Sequence, residues 1–270
     1  MENKRPLIFI SNDDSYKAPG IKFLIEIARS YGDVFVAAPE SPQSGKSSSI
    51  TMEQPIRSRL VYQEEGLTIY AINGTPVDCI KLALNELVPR LPDYIFSGMN
   101  HGYNSGNCVT YSGTMGVVFE GSFYGIPSMG FSYGSHDHSQ DLSACEPIIR
   151  QGIELLMNNS FQRGICFNLN IPTCEKILGL KPAINARGRW MHEYEKRIDP
   201  FGKPYYWTTG SYVAEDPDNP LNDVEGSRNA GYIPVWVKTI GNWCFDDIER
   251  CEYEVETVAE IPEIVKKINI

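Results

Sequence analysis

Three consecutive segments constrain this chain more than any other feature: LIFIS (7–11), a run after Gly20 with Ile21, Leu24, Ile25 and Ala28 at helical spacing, and DVFVAAP (33–39). Two short apolar runs around one amphipathic helix form a β-α-β unit, whose right-handed crossover sets the two strands parallel in one sheet. Strands without polar alternation are covered on both faces, so helices must flank the sheet on each side. Arg29 and Gly32 supply the helix stop. The same logic extends down the chain. Alternating segments near 56–63 and 67–72 predict a hairpin or short strands, and Thr75-Pro76-Val77-Asp78 predicts a capping box opening a helix through Leu84 and Leu87. DYIFSGMN (93–100) and IPSMGFSYG (126–134) read as strands and YSGTMGVVFEGSFYG (111–125) as a helix. The fold class is therefore α/β.

Past about residue 180 the pattern changes. The aromatic and charged stretch 186–210 places Asp199-Pro200-Phe201-Gly202 as a turn between two strand-like arms, a protruding hairpin. It reads either as a subunit-exchanged arm or as an intramolecular flap. Residues 215–226 read as a mobile acidic loop, and YIPVWVKTI (232–240) as a closing strand. The expected organisation is one domain over 1–270, with a catalytic core at 1–180 and an extension at 181–270 that carries the hairpin.

Composition narrows the partners. A formal net charge of -10 disfavours a nucleic-acid polymer or an anionic membrane surface, which need clustered Lys and Arg. Seven scattered Cys with no C-x-x-C suggest reduced thiols and a cytoplasmic location, and no run is long enough for a transmembrane helix.

The first strand ends in two adjacent acids, Asp13 and Asp14. At an effective dielectric of about 20, two such charges roughly 4 Å apart repel by about 4 kcal/mol, so water or a cation must relieve them. A capped turn is the plain alternative. Two further strand-end loops are rich in oxygen donors: Ser41, Ser44 and Ser47 to Ser49 in one, Ser97, Asn100, Asn104 and Ser105 in the other. Such donors match Mg²⁺, Mn²⁺ or Ca²⁺, whereas zinc favours His and Cys, which these loops supply only as His101 and Cys108. His136, His138 and His192 lie in polar surroundings and read as surface residues. Ser112-Gly113-Thr114 opens a helix, where hydroxyls and unpaired N–H groups suit an anion or simply cap the helix. No P-loop, dinucleotide fingerprint or nucleophile elbow is present.

At SNDD with APGI, VAAPESPQSG with SIT, NGTPVDCIKLALN, SGMNHGYNSG, YSGTMGVVFEG, NLNIP and DPFGKPYYW the sequence resembles the SurE family of metal-dependent nucleotidases, in family order over nearly the whole chain. The resemblance implies a Rossmann-like three-layer sandwich with a mainly parallel sheet, a C-terminal extension used in homodimer or homotetramer assembly, and one divalent cation per subunit. It implies hydrolysis of nucleoside 5′- or 3′-monophosphates, with short polyphosphate as a secondary substrate. By motif position, Asp13, Asp14, Ser44 and Asn100 would hold the metal, Asp13 and Asp14 would be catalytic, and Asn12, Asn104, Ser112, Gly113 and Thr114 would surround the phosphate. Ser15 stands where the family usually has Gly, Gln43 where many members have Arg, and Tyr103 where Pro is frequent. An aspartyl-phosphate phosphatase of the haloacid-dehalogenase kind and a non-catalytic nucleotide sensor are the rival readings; the first uses D-x-D, and here the acids are adjacent.

Overall fold

The computed structural model describes residues 4–161, 163–174, 177, 179–215 and 223, together with the backbone of 233–239. In chain order the elements begin with β1 (Leu7–Ser11), α1 (Pro19–Ala28), β2 (Asp33–Pro39), β3 (Ser58–Glu64), β4 (Leu67–Ile72) and α2 (Pro76–Leu82), which runs on into a wider turn at Ala83–Leu87. They continue with β5 (Tyr94–His101), α3 (Cys108–Tyr111), α4 (Gly113–Phe123), β6 (Ser128–Tyr133), α5 (Glu146–Asn158) and β7 (Ile165–Ile171). The rest is strand: β8 (Leu180–Ala183), β9 (Gly188–Met191), β10 (Tyr194–Ile198), β11 (Pro204–Thr208), β12 (Ser211–Ala214) and β13 (Ile233–Thr239).

Nine strands form one sheet in the order β3-β4-β2-β1-β5-β6-β7-β13-β8. From β4 through β7 all neighbours are parallel, and β3 closes one edge as an antiparallel hairpin with β4. The two faces of β1 feed two separate cores. Ile8 and Ile10 pack with Leu24 of α1 and with Ile149 and Ile153 of α5; Leu7 and Phe9 pack with Cys79 and Ile80 of α2 and Val117 of α4. Period-two alternation of uniformly apolar residues thus builds helix, sheet and helix layers, as the sequence predicts.

The capping box forms as expected. Thr75 accepts from the Asp78 N–H at 3.1 Å while the Asp78 carboxylate accepts from the Thr75 N–H at 2.8 Å. Asp78 also accepts from Thr51 N–H and Oγ1 at 3.0 and 2.6 Å, so the helix start anchors the preceding polar loop as well.

Two expectations need correction, the place of the last strand and the exposure of the acidic loop. The strand near 232–240 does not close the sheet. It lies inside it, antiparallel to β7 and parallel to β8, so the chain past residue 180 joins the main sheet. The hairpin expected at 186–210 forms, with β10 and β11 as its arms around the Asp199–Lys203 turn, and β9 pairing with β12 lengthens its base to Ala214. Most of the acidic loop lies outside the described residues, but Asp223 is buried rather than solvated. It accepts from Gly106 N–H at 3.2 Å and Ala186 N–H at 2.8 Å. Unsatisfied backbone donors in a buried loop explain why an acid is drawn in there.

Candidate functional site

From β1 the chain moves outward through β2 to β4 and then returns to β5 on the other side of β1. The crevice at the carboxyl ends of β1 and β5 is thus a topological switch point, where open α/β sheets receive ligands. Asp13 and Asp14 stand at that end of β1.

Asp13 is buried, 4% exposed, and two other segments reach it. Thr114 Oγ1 donates to its Oδ1 at 2.6 Å, Gln43 N–H donates to its carbonyl at 2.7 Å, and Gly113 packs so closely that a Cβ there would lie 2.8 Å from the Asp13 Cβ. Gly113 is therefore a close-approach glycine: it lets the α4 N-terminus meet the acid. Burial pushes the Asp13 carboxyl above its ordinary range; the Thr114 hydroxyl pulls it down, and the neighbouring Asp14 charge adds to the rise.

Asp14 faces β5. The His101 N–H lies 3.4 Å from Asp14 Oδ2 and His101 Nδ1 3.5 Å from the same oxygen. Lys17, the nearest following base in sequence, turns instead over the Tyr16 ring. A one-residue bulge decides what β5 presents here. Its register steps from Ser97 opposite Gly130 to Asn100 opposite Ser132, three residues against two, so Asn100 rather than Met99 shares the face of Ser97. Gly98 allows this: its φ is +127°, and a Cβ would collide with the Phe131 carbonyl oxygen. Asn100 gives its amide N–H to Gly102 O at 2.8 Å, which leaves Oδ1 for a cation or donor.

Ser44 is exposed, next to the Gln43 that bonds Asp13. Its loop is strapped across the site by Ser47, whose N–H and Oγ donate to the Tyr111 and Thr110 carbonyls at 2.9 and 2.6 Å. Ser112 caps α4 by accepting from Met115 N–H at 3.0 Å. Asn12 is fully buried and braces the turn, donating Nδ2 to Ser15 O at 3.0 Å. Asn104 sits behind the site, its Nδ2 donating to Ser132 Oγ at 2.9 Å and its backbone held by Asn168 and Asn170. The polar face of β7 that holds it is the NLNIP string, in which Asn168 and Asn170 alternate onto one side.

Ser15 takes up φ +90°. The departure from Gly is accommodated by strain, not by a different backbone, because Tyr16 N–H to Pro39 O and Ala18 N–H to Ser15 O at 3.0 and 3.1 Å fix the turn. His138 is exposed as expected, yet its ring lies 4.1 Å from that of His101, and nothing in the local sequence announced that pairing.

Whether the oxygen set suits a hard cation can be tested on its buried polar atoms. Ser11 Oγ, Asn12 Oδ1 and Ser97 Oγ have no hydrogen-bond partner, and all lie on β1, β5 or the turn beside the acids. Two carboxylates, an amide oxygen and hydroxyls at one sheet edge, with a helix N-terminus beside them, fit a divalent cation next to an anion. Such a fold and donor set define an α/β protein whose switch point brings together donors that suit a cation and an anionic group.

The model of the family described as Survival protein SurE matches residues 8–192. The 5′-nucleotidase SurE of Bacteroides fragilis is 40% identical over 235 residues, 87% of this chain and 92% of its own; that of Bacteroides thetaiotaomicron is 41% identical over 252 residues, 93% and 96%. The crystal structure of the SurE protein from Aquifex aeolicus superposes with a TM-score of 0.71 at 28% identity, covering 98% of this chain and all of the other. The chain belongs to the SurE family.

Proposed function

We propose that this chain is a divalent-metal-dependent 5′-nucleotidase that converts a nucleoside monophosphate and water into a nucleoside and inorganic phosphate, acting also on 3′-monophosphates and, secondarily, on short polyphosphate. The observation that carries the reading is that the Ser44 loop and the α4 N-terminus reach Asp13 and the end of β5 reaches Asp14 at one switch point, in a chain whose relatives are named 5′-nucleotidase.

In this reading Asp13, Asp14, Ser44 and Asn100 hold one Mg²⁺ or Mn²⁺, with Ca²⁺ able to occupy the same donors. A cation there supplies charge neutralisation of phosphoryl oxygens and a more acidic bound water. Asp13, held by Thr114, orients the attacking water and receives its proton; Asp14 serves chiefly as a ligand. The backbone N–H groups at Ser112, Gly113 and Thr114 face the charge that develops on the phosphoryl group. Asn12 and Asn104 border the phosphate; their Nδ2 groups are committed to Ser15 O and Ser132 Oγ, while Asn12 Oδ1 stays unpartnered beside the acids. In this reading residues 1–180 carry the catalytic groups, and the extension at 181–270 adds β8 and β13 to the same sheet and bears the β10–β11 tip.

The exposed Ile198, Phe201, Tyr206 and Trp207 on the β10–β11 tip support its use in a homodimer or homotetramer. A chain lacking 190–207 is expected to lose that assembly in light scattering. Among the described residues no helix is long and apolar enough to cross a membrane, and the scattered cysteines support a cytoplasmic location. Phosphate release from all common 5′- and 3′-mononucleotides, with Mg²⁺, Mn²⁺ and chelator in parallel, tests the activity. Zero release across the panel, alongside nucleotide binding, would overturn it in favour of a sensor; a trapped phosphoryl-Asp13 would favour the aspartyl-phosphate route.

A further inference from the structure

Asp14, His101 and His138 bring one ligand atom each within 4.8 Å of one another. Three segments far apart in sequence supply them: the turn after β1, the end of β5 and the loop after β6. The His101 side chain is 1% exposed, and neither Nδ1 nor Nε2 makes a hydrogen bond. A neutral buried imidazole carries one donor and one acceptor, so leaving both unmatched costs free energy unless something coordinates the ring. The loops on either side are packed to keep the rings in place. A Cβ at Gly102 would collide with His136, and one at Gly134 with the Tyr103 ring, so the 101–104 and 134–138 segments interlock.

We propose that Asp14, His101 and His138 form a second metal site, for a nitrogen-preferring divalent transition ion such as Zn²⁺, distinct in donor chemistry from the oxygen-lined site it adjoins. Two imidazoles and one carboxylate are the ligand set of open transition-metal sites, in which further positions stay available to water or substrate. Mg²⁺ gains little from imidazole, so the histidines discriminate between ions that the oxygen donors alone would accept. Asp14 is common to both donor sets, and occupancy at one changes the charge it offers the other.

The test is calorimetric titration of the full chain with Zn²⁺ and, separately, Mn²⁺, with Co²⁺ absorption as a report on nitrogen coordination. His138→Ala, a change at an exposed side chain, and His101→Gln are expected to weaken Zn²⁺ binding by about 10-fold or more, loss of an oriented imidazole having effects of that order. They are expected to abolish the visible Co²⁺ bands and leave Mn²⁺ affinity within about 3-fold, a standing context-dependence of such contributions. Circular dichroism of both variants verifies the fold. Equal Zn²⁺ affinity in the wild type and in His138→Ala would overturn the proposal. The outcome is independent of the nucleotidase reading: histidine-dependent Zn²⁺ binding in a chain that releases no phosphate would sink that reading alone.

Discussion

Thr114 and Asp13, 101 residues apart, are joined by a 2.6 Å hydrogen bond that ties the first turn of α4 to the end of β1. The hydroxyl is given to the acid, which makes Thr114 a positioning residue for Asp13. A charge-assisted bond of this kind contributes about 1.5–3 kcal/mol, so Thr114→Val, which keeps the shape, is expected to lower kcat/KM for mononucleotides by about 10- to 100-fold. Thr114→Ser should recover most of it. Recovery by Ser but not Val separates the hydrogen bond from packing.

Asp13→Asn is expected to cost about two to four orders of magnitude in phosphate release, the range that a positioned base supplies. In chelator the same variant should unfold at higher denaturant than the wild type, because Asn removes a buried charge that desolvation disfavours and still accepts from Thr114. Normal turnover in Asp13→Asn with Mn²⁺ would contradict the assigned role.

Ser15 holds a positive φ that glycine adopts without strain. Ser15→Gly is expected to raise stability by up to about 1 kcal/mol, the relief being offset in part by the entropy of a freer unfolded chain and the loss of the 3.4 Å Lys17 N–H to Ser15 Oγ contact. The shift in urea midpoint measures it.

Asp78 accepts hydrogen bonds from Thr75 and twice from Thr51 while 3% exposed. Asp78→Ala strands those donors and is expected to destabilise the fold by about 3 kcal/mol. It also frees the loop that carries Ser44 and Ser47, so phosphate release should fall more steeply at low metal than at saturating metal. A metal titration of both proteins checks this.

Burial pushes the Cys145 thiol up to about 12, with the Asp141 charge and Cys174 adding to the rise, whereas Cys174 is exposed. At pH 8 only about one Cys145 thiol in ten thousand is then the reactive thiolate. Peptide mapping after brief alkylation of the native chain should find Cys174 modified and Cys145 intact.

Local signals carried much of this protein. The alternation of Leu7, Ile8, Phe9 and Ile10 dictated a strand covered on both faces, and Thr75-Pro76-Val77-Asp78 fixed a helix start to the residue. Asp13 and Asp14 stood out because two adjacent acids closing an apolar strand demand relief. The insertion of β13 between β7 and β8 was not legible, since strand pairing order is a long-range choice that a closing apolar run leaves open. Nor was the burial of Asp223, drawn inward by backbone donors of a loop 117 residues away.

By itself the amino-acid order determined the α/β class, the start of α2 and the presence of acids at the end of a central strand, because each follows from periodicity or capping within a few residues. The helix α5, which no capping side chain announced, was not foreseen. Only the tertiary structure decided that Thr114 grips Asp13, that a bulge sets the register of β5 between Ser97 and Asn100, and that the His101 ring lies against His138 beside Asp14. Those contacts depend on how the sheet brings separate strand ends together, and distance along the chain carries no record of that.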